Sequence, residues 1–156
     1  MRYRVITVAL NNPITCTTLF LSVILAVASA GAEDLLLPNA KLTPGKIARR
    51  EKDQHGVSVA MEQKVFSRYR IPWSRRAEFK IDHLIPLELG GADTIENLWP
   101  QNLMAKPYGV ERKELLTRCL LLRMAQGRIT LAQAQTAMQE DWIDAFIDFL
   151  GPVYLK

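Results

Sequence analysis

Two residues that can do acid–base and metal chemistry stand side by side in the middle of this chain. Asp82 is followed directly by His83, within residues 80–101, which read KIDHLIPLELGGADTIENLWPQ. An Asp carboxylate is a hard oxygen ligand for Mg²⁺ or a similar cation, and a neutral His can take a proton from a water aimed at phosphorus. A metal would stabilise the leaving oxygen and the charge that builds up on phosphorus. The pair is therefore a candidate for metal-assisted phosphoryl chemistry.

A strand has to deliver this pair to the edge of a loop. Residues 79–81 read FKI, apolar then polar then apolar, which predicts a short strand that ends at Asp82 and His83. Neighbouring side chains on a regular strand point to opposite faces, so both can serve one site only where the strand gives way to a loop. A Pro and a double Gly within residues 86–91 predict that departure. Residues 96–100, ENLWP, then predict a returning strand that ends at its Pro.

Two helices are predicted after this hairpin. The first covers residues 111–126, and its broad apolar face is predicted to contain Leu115, Leu116, Cys119, Leu120, Leu122 and Arg123. The second begins at Thr130, where Gln133 completes a capping box, and it ends before Gly151. Its apolar stripe consists of Ala134, Met138, Trp142, Ala145, Phe146 and Phe149. A hairpin packed on a helix can bring side chains from three elements to one point, which a metal site requires.

The start of the chain has the pattern of a secretory leader. The whole chain has 156 residues, which suits one compact domain. Arg2 and Arg4 precede the apolar run LFLSVILAVA, residues 19–28, and small residues follow. The run is shorter than the roughly 20 residues that span a bilayer. We expect export to the periplasm or beyond, cleavage near Ala30 or Ala32, and no stable membrane insertion afterwards. An uncleaved N-terminal anchor is the alternative.

Charge is distributed unevenly along the chain. Without the leader's two Arg, 18 of the 20 basic residues remain against 16 acidic ones, a net charge of +2. Residues 41–80 hold eleven Lys or Arg against four acidic residues, whereas residues 129–156 hold one Lys against four. A basic first half suits a polyanion such as nucleic acid. The other interpretation is a solvated charged face, and clustering on one side of the fold would separate the two.

Cysteine usage excludes two kinds of site. Cys16 lies in the predicted leader, so Cys119 is alone in the exported chain. A single cysteine cannot close an internal disulfide, and no Cys pair has the spacing of zinc ligands. We expect Cys119 to act as a small core residue.

The residues around the Asp-His pair resemble a nuclease motif. Asp-His-Leu-Ile-Pro-Leu, followed by Gly-Gly and then Asn-Leu, looks like the motif of the HNH endonucleases, which have a ββα-metal fold. More narrowly, LPNAKLTPG, IDHLIPLELGGADTIENLWPQ, ITLAQAQ and DW resemble a group of small, often exported bacterial proteins with an HNH-like domain. This likeness covers residues from about 37 to 142. The fold class that it implies is α+β, with a ββα-metal hairpin-helix core and additional C-terminal helices.

The expected organisation has three parts. Residues 1–32 would be the signal peptide, residues 33–79 a lead-in with the basic segment, and residues 80–156 the HNH-like domain with its C-terminal helices. No internal repeat interrupts this order. The candidate chemistry therefore falls at the start of the third part.

The resemblance also implies roles for individual positions. His83 would be the general base, Asp82 the first metal ligand, and Asn97 the residue that braces the His-bearing loop by hydrogen bonds. The family places a last His or Asn on the helix after the hairpin, and this chain has no His after His83. Alignment of the helix start puts Glu111 there, as an oxygen ligand for a divalent metal such as Mg²⁺.

Other residues compete for that last position or surround it. A shorter spacing falls near Lys106, which cannot ligate a metal while charged, and Asn102 is a weaker substitute. Lys106, Arg112 and Lys113 are candidates for contacts with nucleic-acid phosphates. Solvation of a helix surface explains these three equally well.

Three hypotheses of function follow. The first is a divalent-metal-dependent HNH-type endonuclease that hydrolyses phosphodiesters outside the cytoplasm, with DNA favoured over RNA as substrate. The second is a catalytically inactive HNH-like module that binds nucleic acid or protein, which the missing His supports. The third is a structural envelope protein, which requires an exposed apolar stripe around Trp142, Phe146 and Phe149. A purely structural role for His83 and Asp82, as a buried His and a turn-forming carboxylate, is the alternative to the first two.

Overall fold

The computed structural model describes residues 37–50, 53 and 56–153. In chain order the long elements are α1 (Val59–Arg68), β1 (Phe79–His83), β2 (Leu98–Asn102), α2 (Val110–Ala125) and α3 (Leu131–Leu150). Short 3₁₀ turns lie between α1 and β1 and between β1 and β2. This mixture of helices with a two-stranded antiparallel sheet is of the predicted α+β class. The predicted leader, residues 1–32, and its cleavage site lie outside the described residues. No helix of the described part is both long enough and apolar enough to cross a membrane.

The hairpin forms where the alternating pattern predicts it. β1 and β2 pair in a register that runs from Phe79 opposite Asn102 to His83 opposite Leu98. The second strand begins two residues later than predicted, because the three residues before it form a 3₁₀ turn. Pro100 therefore lies in the middle of β2 and does not end it. A strand with a single partner tolerates Pro there, because the missing N–H can belong to the edge that makes no ladder bonds.

Helix α3 closes the main core. Thr130 and Gln133 form the predicted capping box, and Gly151 ends the helix with a φ of 87°. Trp142 is 0% exposed and Phe146 is 3% exposed. A structural envelope protein would require these aromatic rings to be exposed. The prediction of their exposure is wrong, because both rings face inward. The buried residues of this core are Ile85, Leu89, Leu116, Leu120, Ala134, Met138, Trp142, Ala145 and Phe146.

Helix α2 buries a narrower face than predicted. Leu116 and Leu120, one helical turn apart, are both 0% exposed and pack in the core with α3. Leu115 and Leu122 are 39% and 59% exposed, so their assignment to the apolar face is wrong. The contact face of α2 is a stripe at spacings of three and four residues, which a helix packed on one neighbour requires.

The lead-in before β1 packs against the hairpin. Phe66 of α1 meets Phe79 of β1 edge to face, with the ring centroids 5.9 Å apart. Thr43 Oγ1 donates to the carbonyl oxygen of Leu98 at 2.9 Å and lies 2.8 Å from the Tyr69 hydroxyl. Burial raises the pKa of Tyr69 above its ordinary value. The lead-in is thus integrated with the hairpin by apolar and polar contacts.

Candidate active site

The loop that joins the two strands is held in shape by a buried amide. Asn97 Oδ1 accepts from the Ile85 backbone N–H at 2.9 Å, and its Nδ2 donates to the carbonyl oxygens of Ile85 at 2.9 Å and Ala92 at 3.0 Å. Asn97 is 0% exposed. A Cβ on Gly91 would lie 1.8 Å from the Ile85 carbonyl oxygen, so only glycine fits this close approach. Three hydrogen bonds and one glycine therefore fix the path of the chain just after His83.

His83 is oriented by a carboxylate from that loop. Its Nε2 lies 2.6 Å from Asp93 Oδ1, and the other Asp93 oxygen accepts from the Gly56 backbone N–H at 2.6 Å. The side chains are 17% and 1% exposed for His83 and Asp93. A carboxylate accepts hydrogen bonds, so we assign the Nε2 proton to this contact. Nδ1 is then the ring nitrogen that can accept a proton from another group.

Asp93 is a site residue that the sequence analysis missed. It lies two positions after the Gly90-Gly91 turn, inside the quoted motif. A carboxylate at such a position usually forms the turn itself. Its place among turn residues therefore gave no sign that it contacts His83. The signal that could have identified Asp93 was a carboxylate just after a tight glycine turn, in the same motif as the candidate base.

Asp82 is paired with a lysine from helix α2. Lys113 Nζ lies 2.7 Å from Asp82 Oδ2 and donates to the His83 carbonyl oxygen at 2.5 Å. Lys113 is only 3% exposed, so of the two interpretations of this residue, a phosphate contact or a solvated helix surface, the solvated surface is wrong. Lys113 precedes Leu116 by three residues and Leu120 by seven, which is the spacing of one helix face. That periodicity was the signal for its inward position.

Three of these four paired residues line one cavity of about 470 Å³, a size typical of small-molecule sites. Asp82, His83 and Lys113 all contribute to its lining, as do Pro86 and Leu87 from the loop. Its charged residues are formally balanced, with three cations and three carboxylates. They are Lys80, Lys113 and Arg118, and Asp82, Glu88 and Glu114. Lys80 and Glu114 form an ion pair at 2.9 Å between half-exposed side chains.

The structure does not bring the predicted second ligand to this cavity. Glu111 is exposed and lines a different cavity of about 510 Å³, together with Lys106 and Arg112. Asp82 and His83 are not part of that lining. A helix turns by about 200° between two positions that are two residues apart, so Glu111 and Lys113 face in nearly opposite directions. Asn102, the weaker substitute for that ligand, uses its Oδ1 to accept from the Met104 backbone N–H at 2.8 Å.

The oxygen that the resemblance assigns to a divalent cation is engaged by an ammonium in this structure. The one carboxylate that the resemblance assigns to the metal, Asp82, already holds the Lys113 ammonium. Mg²⁺ prefers about six oxygen ligands, several of them anionic or water. Over the described ranges no group of three or more His, Cys, Asp or Glu side chains is placed to hold a metal ion.

The basic residues that the structure describes within residues 41–80 do not gather at this cavity. Arg75 and Arg76 form ion pairs with Glu78 and Glu62. Of the remaining described cations, Lys46, Arg49 and Arg50 line a separate cavity of about 300 Å³. Lys80, at the end of the segment, lines the same cavity as Asp82 and His83. The described basic residues of this segment are therefore divided among ion pairs and separate cavities.

Comparisons with protein-family models, with curated proteins and with solved structures find no match to this chain. The resemblance to the HNH motif consequently stands on the residues and spacing of the hairpin.

Proposed function

We propose that this cavity binds a phosphodiester group of nucleic acid and that His83 is the general base for its hydrolysis. The observation that carries the proposal is His83, which Asp93 orients from behind and which lines the same cavity as Lys113. A base, a residue that orients it and a nearby positive charge are the parts that phosphoryl transfer to water needs.

The reaction would begin at Nδ1 of His83. This nitrogen removes a proton from a water molecule, and the water oxygen attacks phosphorus while the bond to the leaving oxygen breaks. The leaving oxygen then takes a proton from solvent. Asp93 holds the imidazole ring in place and balances the charge that His83 gains. The ammonium of Lys113 stabilises the negative charge that develops on the phosphoryl oxygens.

The order of elements supports this proposal. Strand β1, strand β2 and helix α2 follow one another as in the ββα fold of the HNH endonucleases, and we propose that they form such a core. His83 then occupies the base position at the end of β1, and Asn97 makes the hydrogen bonds of the residue that braces the loop. From the leader-like start we propose that the activity lies outside the cytoplasm, and we propose DNA ahead of RNA as substrate.

The second candidate function is a module that binds without cleaving. The observation that favours it is the Asp82–Lys113 ion pair, because it uses the carboxylate that the resemblance assigns to a catalytic metal. The balanced charge of the cavity lining agrees with binding of a neutral or zwitterionic group as well as a phosphate. Cleavage assays separate the two functions directly.

The test is cleavage of supercoiled plasmid DNA and of an RNA by the purified protein with Mg²⁺, Mn²⁺ or EDTA. We expect His83→Ala to cut about 10² to 10⁴ times more slowly than wild type, the usual contribution of a general base. His55→Ala is the matched control, because His55 and His83 are the only two histidines of the chain. We expect it to cut at the wild-type rate.

Two results would contradict the proposal. One is equal cleavage by wild type and His83→Ala, which would remove His83 from the chemistry. The other is a folded wild-type protein that cuts neither substrate under any of the three metal conditions. Retention of labelled DNA on a filter by such an inert protein would then support the binding module.

A further inference from the structure

We propose that the Lys113 ammonium occupies the cation position of this site and supplies the positive charge that a divalent metal would otherwise bring, so that the site works without a metal. This inference deepens the proposed function and rests on it for its chemistry. Its decisive test does not require activity.

The position of Nζ is that of a cation between two oxygens. Asp82 Oδ2 lies 2.7 Å away and the His83 carbonyl oxygen 2.5 Å away, and they come from adjacent residues at the end of one strand. Oxygen ligands of Mg²⁺ and Ca²⁺ lie at about 2.0 to 2.6 Å from the ion. A metal at this point would overlap with Nζ, so ammonium and metal exclude each other.

Packing fixes this ammonium in place. The Lys113 side chain is 4% exposed, and Leu116 and Leu120 on the same face of α2 are anchored in the core. Thr117 Oγ1 also donates to the Lys113 carbonyl oxygen at 2.9 Å. A buried charge is tolerated when it is paired and hydrogen-bonded, and Asp82 with the His83 carbonyl provides both conditions. The lysine is thus a built-in part of the fold.

The same ammonium reaches the cavity where a phosphate would lie. An ammonium has three N–H donors, and the two oxygens described above take two of them. Lys113 lines the cavity beside His83, so the third donor can meet a phosphoryl oxygen there. Lysine acts on phosphate as a compact point charge, which is the electrostatic role of a catalytic cation.

The first experiment measures Mn²⁺ binding by the protein, by electron paramagnetic resonance of the free ion. We expect no binding by wild type up to about 1 mM Mn²⁺, a concentration at which even weak oxygen sites are occupied. Lys113→Asp should gain binding, because a second carboxylate then replaces the ammonium beside Asp82. Lys41→Asp, the same charge change at an exposed residue, should not gain it.

The outcomes are decisive in either direction. Mn²⁺ binding by wild type that Asp82→Asn abolishes would overturn the inference. A folded Lys113→Asp protein that still ignores Mn²⁺ would also overturn it, because the point beside Asp82 would then not be a cation position. If Lys113→Asp fails to fold, the comparison of wild type with Asp82→Asn decides alone, and absence of binding in wild type supports the inference.

The second experiment connects the inference to catalysis. Wild-type cleavage should have the same rate in EDTA as in Mg²⁺, and Lys113→Met, which keeps the length and loses the charge, should lose at least about 10²-fold, as for removal of one electrostatic stabiliser. Cleavage that EDTA abolishes would contradict the inference while leaving His83 as the base. No cleavage at all, with the Mn²⁺ results as expected, would refute the proposed function and keep the ammonium in the cation position.

Discussion

Asp82 and His83 are neighbours in the chain, yet each finds its partner in a different region of the molecule. His83 pairs with Asp93 from the loop between the strands, ten residues away, whereas Asp82 pairs with Lys113 from helix α2. Adjacent strand residues face opposite sides of the backbone, which sends the two side chains in different directions. Asp82 and His83 nevertheless line one cavity, because the loop and the helix flank the same strand end.

The two regions are stabilised by different forces. The loop holds Asp93 through the hydrogen bonds of Asn97 and the close approach at Gly91. Helix α2 holds Lys113 through the burial of Leu116 and Leu120. The His83 pair should therefore be sensitive to polar and backbone changes in a short segment, and the Lys113 pair to the packing of the core. Three predictions test the loop and its contact with His83, and a fourth tests the exposed ion pair of the cavity, beginning with the largest effect.

The largest effect is expected from Gly91→Ala, which attacks the loop backbone. The new Cβ would lie 1.8 Å from the Ile85 carbonyl oxygen and 2.8 Å from Asn97 Nδ2, so the loop has to move. We expect a loss of about 3 kcal/mol or more in the free energy of unfolding, within the range of severe steric substitutions. Urea titration measures it.

Gly127→Ala is the control for that change. Gly127 has a φ of 68°, and a Cβ added there would meet nothing within 4 Å, so only its backbone conformation is strained by Ala, at about 1 kcal/mol. Equal losses for the two variants would show that the close approach at Gly91 does not shape the loop.

The next effect comes from Asn97→Ala, which attacks the loop's hydrogen bonds. Three buried backbone partners would be left without the amide, and each unsatisfied group costs about 1 to 3 kcal/mol, partly relieved by relaxation. We expect a net loss of about 3 kcal/mol in the free energy of unfolding. Asn39→Ala, which removes one exposed contact to the Lys41 N–H, should cost less than about 1 kcal/mol. Similar values for both would contradict the bracing role.

Asp93→Asn separates the orienting role from stability. In this variant the amide oxygen would still accept from the Gly56 N–H, so the amide NH₂ would face Nε2 of His83. Because that NH₂ is a donor, Nε2 would have to accept, and His83 would carry its proton on Nδ1. The base would then be blocked, and we expect cleavage to fall by about 10²-fold or more. Asp148→Asn on the exposed side of α3 should leave the rate unchanged. Cleavage by Asp93→Asn at the wild-type rate would contradict the role of Asp93 in orienting His83.

The smallest effect is expected at the cavity's exposed ion pair. Lys80 and Glu114 are 41% and 50% exposed, and pairs of this kind contribute roughly 0 to 1 kcal/mol. Lys80→Ala should therefore change the free energy of unfolding by less than about 1 kcal/mol, and a salt titration should reduce the difference further. A loss as large as that of Asn97→Ala would show that the pair is part of the core.

The sequence predicts those parts of the fold that depend on local patterns. Alternation in residues 79–81 places β1, and the Thr130 and Gln133 pair places the start of α3, because strand period and capping act over a few residues. The predicted start of β2 is two residues early, because a 3₁₀ turn has no strong signature. The predicted α2 face is too wide, because one packing partner covers only a narrow stripe.

The site is predictable only in part, for a physical reason. Asp82 and His83 stand out because they are adjacent, and Asn97 because it stands in the same motif. The contacts of Asp93 and Lys113 are not visible in the sequence, because pairing depends on where the loop and helix return. Glu111 is placed by counting from the helix start, and the helical rotation of about 200° over two residues carries it to another cavity.

The most direct test of His83 as the general base is rescue of plasmid cleavage in His83→Ala by added imidazole. The protein as proposed cuts DNA in its wild-type and His55→Ala forms, cuts about 10² to 10⁴ times more slowly as His83→Ala, and regains part of that loss as imidazole is added. Cleavage by His83→Ala at the wild-type rate without imidazole would contradict the account.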